Sequence, residues 1–123
     1  MTLDLPMQDK LRIIQELVPG KQISLAHVIA NPTPVLYEKL GLNPASICSS
    51  PAIGIMTVSP AETAVICADL ATKAAAVDLS FVDRFSGTLL FTGRVADVET
   101  AMIRIAAYVQ DSLGFTACAI TKT

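Results

Sequence analysis

From Ile53 onward the sequence predicts an α+β fold, an antiparallel sheet with two helices on one of its faces. Three observations carry that expectation. The first is Ser59-Pro60-Ala-Glu62, which has the form of a capping box. Ser59 is placed to cap, Pro60 to occupy the first helical position, and Glu62 to reach back from N3. The second is Ser86-Gly87, a turn signal between two strand-like runs. The third is a stripe at helical spacing, Val98, Ala101, Met102, Ile105, Val109 and Leu113, closed by Gly114. Together they give the order β-α-β-β-α-β over residues 53–121, the ferredoxin-like split arrangement.

The elements follow in chain order. Residues 1–10 lack periodicity and read as an arm. Residues 11–17 are ambiguous, because Leu11, Ile14 and Leu17 fit a helix face while Leu11, Ile13, Gln15 and Leu17 fit one face of a strand. Val18-Pro-Gly-Lys21 is a turn. Gln22 to Ala30 reads as a strand with Ile23, Leu25, His27 and Ile29 on one face. Asn31-Pro32 signals a cap and first-turn proline for a short helix whose apolar side is Leu36, Tyr37 and Leu40, ending at Gly41. Residues 22–41 thus add a strand and a helix ahead of the core. Leu42 to Ala52, with Asn43-Pro44 and Ser49-Ser50-Pro51, reads as a loop.

Within the core, the helix after Glu62 has a narrow face of small residues, Ala64, Cys67, Ala68, Ala71 and Ala75. Its other faces are also apolar, with Val65, Ile66 and Leu70, so it needs cover on more than one side. The next strand alternates Val77, Leu79 and Phe81 with Asp78 and Ser80. Thr88 to Arg94 is its partner, Asp97 is the expected N-cap of the second core helix, and Phe115 to Thr121 is a last strand.

Composition narrows the function classes. The 123 residues suit a single domain, with 52% hydrophobic against 16% charged residues and a mean hydropathy of +0.55. A 13.0 kDa chain exposes roughly 6,300 Å² by the usual size scaling. Its 9 basic and 11 acidic side chains cover such a surface thinly, which predicts self-association. A net charge of −2 argues against a nucleic-acid or anionic-membrane surface. Cys48, Cys67 and Cys118 are odd in number and lack C-x-x-C spacing, so neither a disulfide framework nor a zinc site is expected. Neither a signal peptide nor an apolar run of spanning length is visible, which points to a reduced, cytosolic chain.

Enzymatic signals are sparse. His27 is the single histidine and sits between Leu25 and Ile29, as a hydrogen-bonded sheet residue would. Gly20-Lys21 lacks the upstream glycine of a phosphate loop, since Gln15 stands there. An RNA-recognition module would need stacking aromatics on its central strands, and Thr88 to Arg94 has Phe91 alone. No catalytic, cofactor or metal set is expected. Two rival classes remain, a ligand-binding regulatory oligomer on this fold and a small enzyme using Asp83-Arg84.

Three long runs carry a resemblance. Val18-Pro-Gly-Lys-Gln-Ile-Ser-Leu-Ala-His-Val-Ile-Ala-Asn-Pro32, Ala52-Ile-Gly-Ile-Met-Thr-Val58 and Phe81-Val-Asp-Arg-Phe-Ser-Gly87 resemble bacterial microcompartment (BMC) shell proteins. The match is to the circularly permuted class found with ethanolamine, propanediol and choline utilisation, and it covers nearly all of the chain after Arg12. It implies a permuted BMC fold and a homohexamer that tiles a cytosolic polyhedral shell. The implied partners are further copies, other shell proteins and the enclosed enzymes, with no nucleic acid, membrane or cofactor. The family's edge lysine, four residues after an aspartate, corresponds to Lys73 and Asp69. Asn31 stands where unpermuted members carry an edge arginine between prolines. The hairpin near the six-fold axis corresponds to Asp83, Arg84, Phe85, Ser86 and Gly87. The permuted class can form a small axial barrel from its N-terminal segment, here Leu11, Arg12, Ile13, Ile14, Gln15 and Glu16. The loop over residues 42–52 is longer than the family usually has, which bears on whether the hexamer is flat.

Overall fold

The computed structural model describes residues 20–42 and 51–123, so the arm, the axial segment 11–17 and Cys48 lie outside the described residues. In chain order the elements are β1 (Gln22–Ile29), α1 (Pro34–Leu40), β2 (Ala52–Ser59), α2 (Thr63–Ala74), β3 (Asp78–Asp83), β4 (Thr88–Gly93), α3 (Val95–Leu113), β5 (Thr116–Ala117) and β6 (Thr121–Lys122). The sheet order is β3-β4-β2-β1-β5, and β6 also pairs with β1. Setting β1 aside leaves the expected ferredoxin-like order. The added strand does not lie at an edge; it is wedged between the first and last strands of the core. It runs antiparallel to β2 and parallel to β5 and β6.

Alternation along the strands decides what each face carries. Met56, Val58, Leu89 and Phe91 point to the helix side and are buried with Cys67, Ala71, Val98, Met102 and Ile105 in the main core. In β1 the expected single face does not hold. A register shift between Ile23 and Leu25 inserts Ser24 as an extra residue, so Ile23, Ala26 and Val28 are the buried set and Leu25, His27 and Ile29 fall on the other face. The Ser24 hydroxyl lies 2.8 Å from that of Thr57. A second shift between Leu79 and Phe81 likewise separates those two residues, with Leu79 opposite Phe91 and Phe81 opposite Leu90.

The helix starts also depart from expectation, and competition for the capping residues explains it. β2 continues through Ser59, which pairs with Gln22. The chain then turns tightly, with the Thr63, Ala64 and Val65 amides donating to the carbonyls of Pro60, Ala61 and Glu62. α2 therefore begins at Thr63 after Glu62, without a side-chain cap. Sheet pairing has displaced the capping box. Asp97 is likewise not a cap. Arg94 is, and Asp97 lies in the first turn, where its carboxylate meets the positive end of the helix. α1 starts at Pro34 after Thr33, not at Asn31-Pro32. The Tyr37 hydroxyl donates to the Pro51 carbonyl, which ties α1 to the start of β2. Gly41 and Gly114 end their helices in the left-handed region as expected, both at φ 72°. The last strand is shorter than Phe115 to Thr121, being broken into β5 and β6.

Gly54 sits beneath the core. A Cβ there would lie 2.8 Å from two Phe91 ring atoms and 3.0 Å from Val98. Gly54→Ala should destabilise the fold by roughly 1–3 kcal/mol, the usual cost of overpacking. Denaturant unfolding at fixed protein concentration measures this, and an unchanged midpoint would contradict the packing described.

Candidate functional site

The sequence-predicted positions occupy separate surfaces. Lys73 and Asp69 are one turn apart on α2. Lys73 Nζ donates to Asp69 Oδ2 across 2.8 Å, with both side chains well exposed. That hydrogen bond and the carboxylate's charge raise the Lys73 pKa. An exposed pair of this kind adds little to stability. Asn31 lies exposed in the bend after β1. Among the described residues no hydrogen bond or ion pair joins it to the Asp69–Lys73 pair.

The hairpin between β3 and β4 is held by its own groups. Asp83 Oδ1 accepts the Phe85 amide at 2.9 Å, and Oδ2 accepts the Ser86 hydroxyl at 2.8 Å. These bonds favour the carboxylate, the Phe85 amide most, and lower the Asp83 pKa. The Gly87 amide donates to the Asp83 carbonyl, and the Gly87 carbonyl accepts the Val58 amide at 2.8 Å. Gly87 is at φ 79°, and a Cβ on it would stand 2.2 Å from the Val58 carbonyl oxygen. Glycine is required on both counts. Arg84 stacks over the Phe85 ring, 5.0 Å from its centroid. Phe85 is 80% exposed, the largest exposure among the large hydrophobic side chains described.

Apolar surface outside the core is the other notable feature. Val65 and Ile66 on α2, together with Ile103 and Tyr108 on α3, are exposed. The all-round apolar character of α2 anticipated the first two. Ile103 and Tyr108 fall outside the regular stripe of α3, and their spacing offered no sign of a second apolar face. On the sheet face opposite α2 and α3, Phe81, Leu90, Ile55 and His27 lie directly opposite one another on successive strands. Phe81 is exposed and Ile55, Leu90 and His27 half-exposed. His27 is the hydrogen-bonded sheet histidine expected, with Nδ1 2.5 Å from Thr121 Oγ1 and Nε2 2.9 Å from Thr123 Oγ1.

Among the described residues no cluster of His, Cys, Asp or Glu is placed to hold a metal. Burial pushes the Cys67 thiol up to about 11, so it is a small core residue with little thiolate at neutral pH. No described helix is long and apolar enough to cross a membrane.

The sign of the Asp83 shift gives a pH dependence. A carboxyl with a lowered folded pKa contributes stability that is present above its unfolded pKa and is lost as pH falls through the folded value. Acidification should therefore loosen the hairpin before the core. Carbon-detected NMR should show Asp83 titrating below an unstructured aspartate, and Ser86→Ala should move it back toward the ordinary value. An ordinary Asp83 titration in the unmodified chain would contradict the bonding described.

Comparison with known proteins places these surfaces in a family. Residues 52–121 match the BMC domain model. Microcompartment shell protein CutR of Streptococcus intermedius is 50% identical over 112 residues, covering 91% of this chain and 92% of CutR. Shell protein EutS of Salmonella typhimurium is 50% identical over 115 residues, covering 94% and 99%. PduU of the same organism is 47% identical over 112 residues, covering 91% and 93%. Among solved structures, a CutR flat hexamer superposes with a TM-score of 0.79 at 49% identity, covering 91% of this chain and 99% of the other. A fused permuted hexameric shell protein shares the fold alone, at 19% identity and a TM-score of 0.61, covering 73% of this chain and 46% of that one. With its added strand lying inside the sheet and residues 52–121 matching the BMC domain, this chain belongs to the bacterial microcompartment shell protein family, in the permuted class.

Proposed function

We propose that the chain is a structural subunit that forms cyclic hexamers and, with other shell proteins, tiles the shell of a cytosolic microcompartment around its enclosed enzymes. The observation that carries this reading is the close match to a protein solved as a flat hexamer, joined to apolar side chains left exposed on both helices. A monomer has no use for Val65, Ile66, Ile103 and Tyr108 in water, whereas a subunit interface buries them.

The role is architectural rather than catalytic. An enzyme built on Asp83-Arg84 would need both side chains free, but the carboxylate is engaged by Phe85 and Ser86 and the guanidinium covers a ring. His27 is likewise engaged at both nitrogens.

Six copies of the Asp83–Gly87 hairpin converge on the axis in this reading. With Asp83 and Arg84 satisfied within each copy, Phe85 and Ser86 are left to line the opening. The N-terminal residues Leu11, Arg12, Ile13, Ile14, Gln15 and Glu16 complete it as a six-stranded barrel whose narrow interior side chains fill. Leu11 and Ile13 plug the axis, and Arg12 and Glu16 face outward. Lys73, beside Asp69, lies at the hexamer rim and bonds carbonyl groups across the seam between hexamers, with Asn31 near the same edge. Residues 22–41 and 53–121 belong to one BMC domain spanning residues 1–123.

Native mass spectrometry should find six subunits, and dilution to nanomolar concentration should leave them associated. A folded monomer as the main species would overturn the reading. Lys73→Ala should keep the hexamer and impair sheet formation, seen by negative-stain microscopy; an unchanged lattice would remove Lys73 from the seam. Deleting residues 1–16 should leave a hexamer with an open axis, and a still-closed axis would exclude the plug.

A further inference from the structure

We propose that neighbouring subunits meet head to tail, the sheet face around Phe81, Leu90 and Ile55 of one copy seated on the outer sides of α2 and α3 of the next. The inference rests on the hexamer reading above and adds which two surfaces meet.

Symmetry sets the requirement. A two-fold contact joins a patch to its own copy, whereas a closed ring of six repeats a contact between two unlike patches. A chain that builds such a ring has to offer two different surfaces, and a relative of this chain was solved as a flat hexamer.

The first surface is a bounded patch on the sheet. Phe81, Leu90 and Ile55 stand opposite one another on β3, β4 and β2. Phe81 is exposed, and Leu90 and Ile55 are half-exposed. One pair along on the same face, Ile53 and Thr92 are already buried within the chain. One pair in the other direction, Thr57, Thr88 and Asp83 form a polar row. At the β1 end the patch stops at His27, whose nitrogens are engaged by Thr121 and Thr123. An apolar centre with a polar border is the usual anatomy of a protein interface.

The second surface is the far side of the helix layer. Ala64, Cys67 and Ala71 of α2 and Val98, Met102, Ile105 and Val109 of α3 face the core. Val65 and Ile66 on α2 and Ile103 on α3 are left exposed. On α3 the positions Ala96, Thr100, Ile103, Ala107 and Gln110 follow steps of four and three residues, so they share one stripe. None of the five is buried and none is charged. Short side chains on either side of Ile103 let a flat sheet come close, with Ile103 as the projecting group.

The strands themselves favour this pairing over sheet on sheet or helix on helix. Leu89-Leu90-Phe91 in β4 and Ile55-Met56 in β2 are apolar on both faces, the pattern of strands covered on two sides. α2 and α3 cover one side within the chain. A neighbour's helices on the other side repeat the same layer contact between copies.

Native mass spectrometry on three full-length chains tests this: unmodified, Phe81→Asp and Ile103→Asp. The substituted side chains are 49% and 59% exposed, so both variants should fold. The unmodified chain should be a hexamer, and each variant alone should be a monomer, because each spoils all six contacts. Mixed at high concentration, the variants should give a one-to-one heterodimer. The intact sheet face of Ile103→Asp seats the intact helix side of Phe81→Asp, and no third subunit can add at either end. Should circular dichroism find an aspartate variant unfolded, Phe81→Ser and Ile103→Ser replace the pair. Homodimers of a single variant, a variant that stays hexameric, or folded variants that form no heterodimer would each overturn the proposal. A monomeric unmodified chain would instead strike the hexamer reading itself.

Discussion

Among the described residues α2 and α3 pack against one face of the sheet; a sheet so covered cannot bury both of its surfaces, and most of this molecule's character follows from that limit. α2 and α3 share a face with the inward residues of β1, β2 and β4, and the main core forms there. The opposite face keeps a row of apolar side chains running from Phe81 to Ile55. The outer sides of the two helices stay apolar as well. A chain with so few charges cannot mask these areas itself. Association of copies is the physical resolution, and the match to a hexameric relative is of the same kind.

The core tolerates one-sided cover because its two layers approach closely. α2 presents Ala64, Cys67, Ala68 and Ala71, all buried, and small side chains let the helix sit near its neighbours. On the sheet side Gly54 leaves room for the Phe91 ring and Val98. Small residues on one layer and large ones on the other fill the same space, which is how a thin domain reaches interior packing density.

Element order, the turn at Gly87, both helix stops and the inner stripe of α3 were legible in the sequence because each depends on local chemistry. The helix starts were less so. Ser59 has two uses, cap or strand end, and its pairing with Gln22 decides between them. The bulges at Ser24 and between Leu79 and Phe81 were illegible for a related reason. A one-residue insertion leaves alternation plausible on either side of it, and only the partner strand shows which phase holds. The wedged position of β1 is set by pairing across the sheet, which periodicity does not report. The internal bonding of Asp83 and the stacking of Arg84 on Phe85 required the folded hairpin.

The same hairpin separates scaffold from chemistry. Its tip is fastened by backbone groups, the Val58 amide on the Gly87 carbonyl and the Gly87 amide on the Asp83 carbonyl, with Asp83 and the Ser86 hydroxyl bonded to it as the side chains that shape it. Positions 84 and 85 are therefore under little structural obligation. Their identity can drift, or be chosen, without altering where the loop stands. A protein built this way can acquire new surface character at one point while its frame stays fixed, and it can do so through single substitutions, each of which leaves a folded molecule.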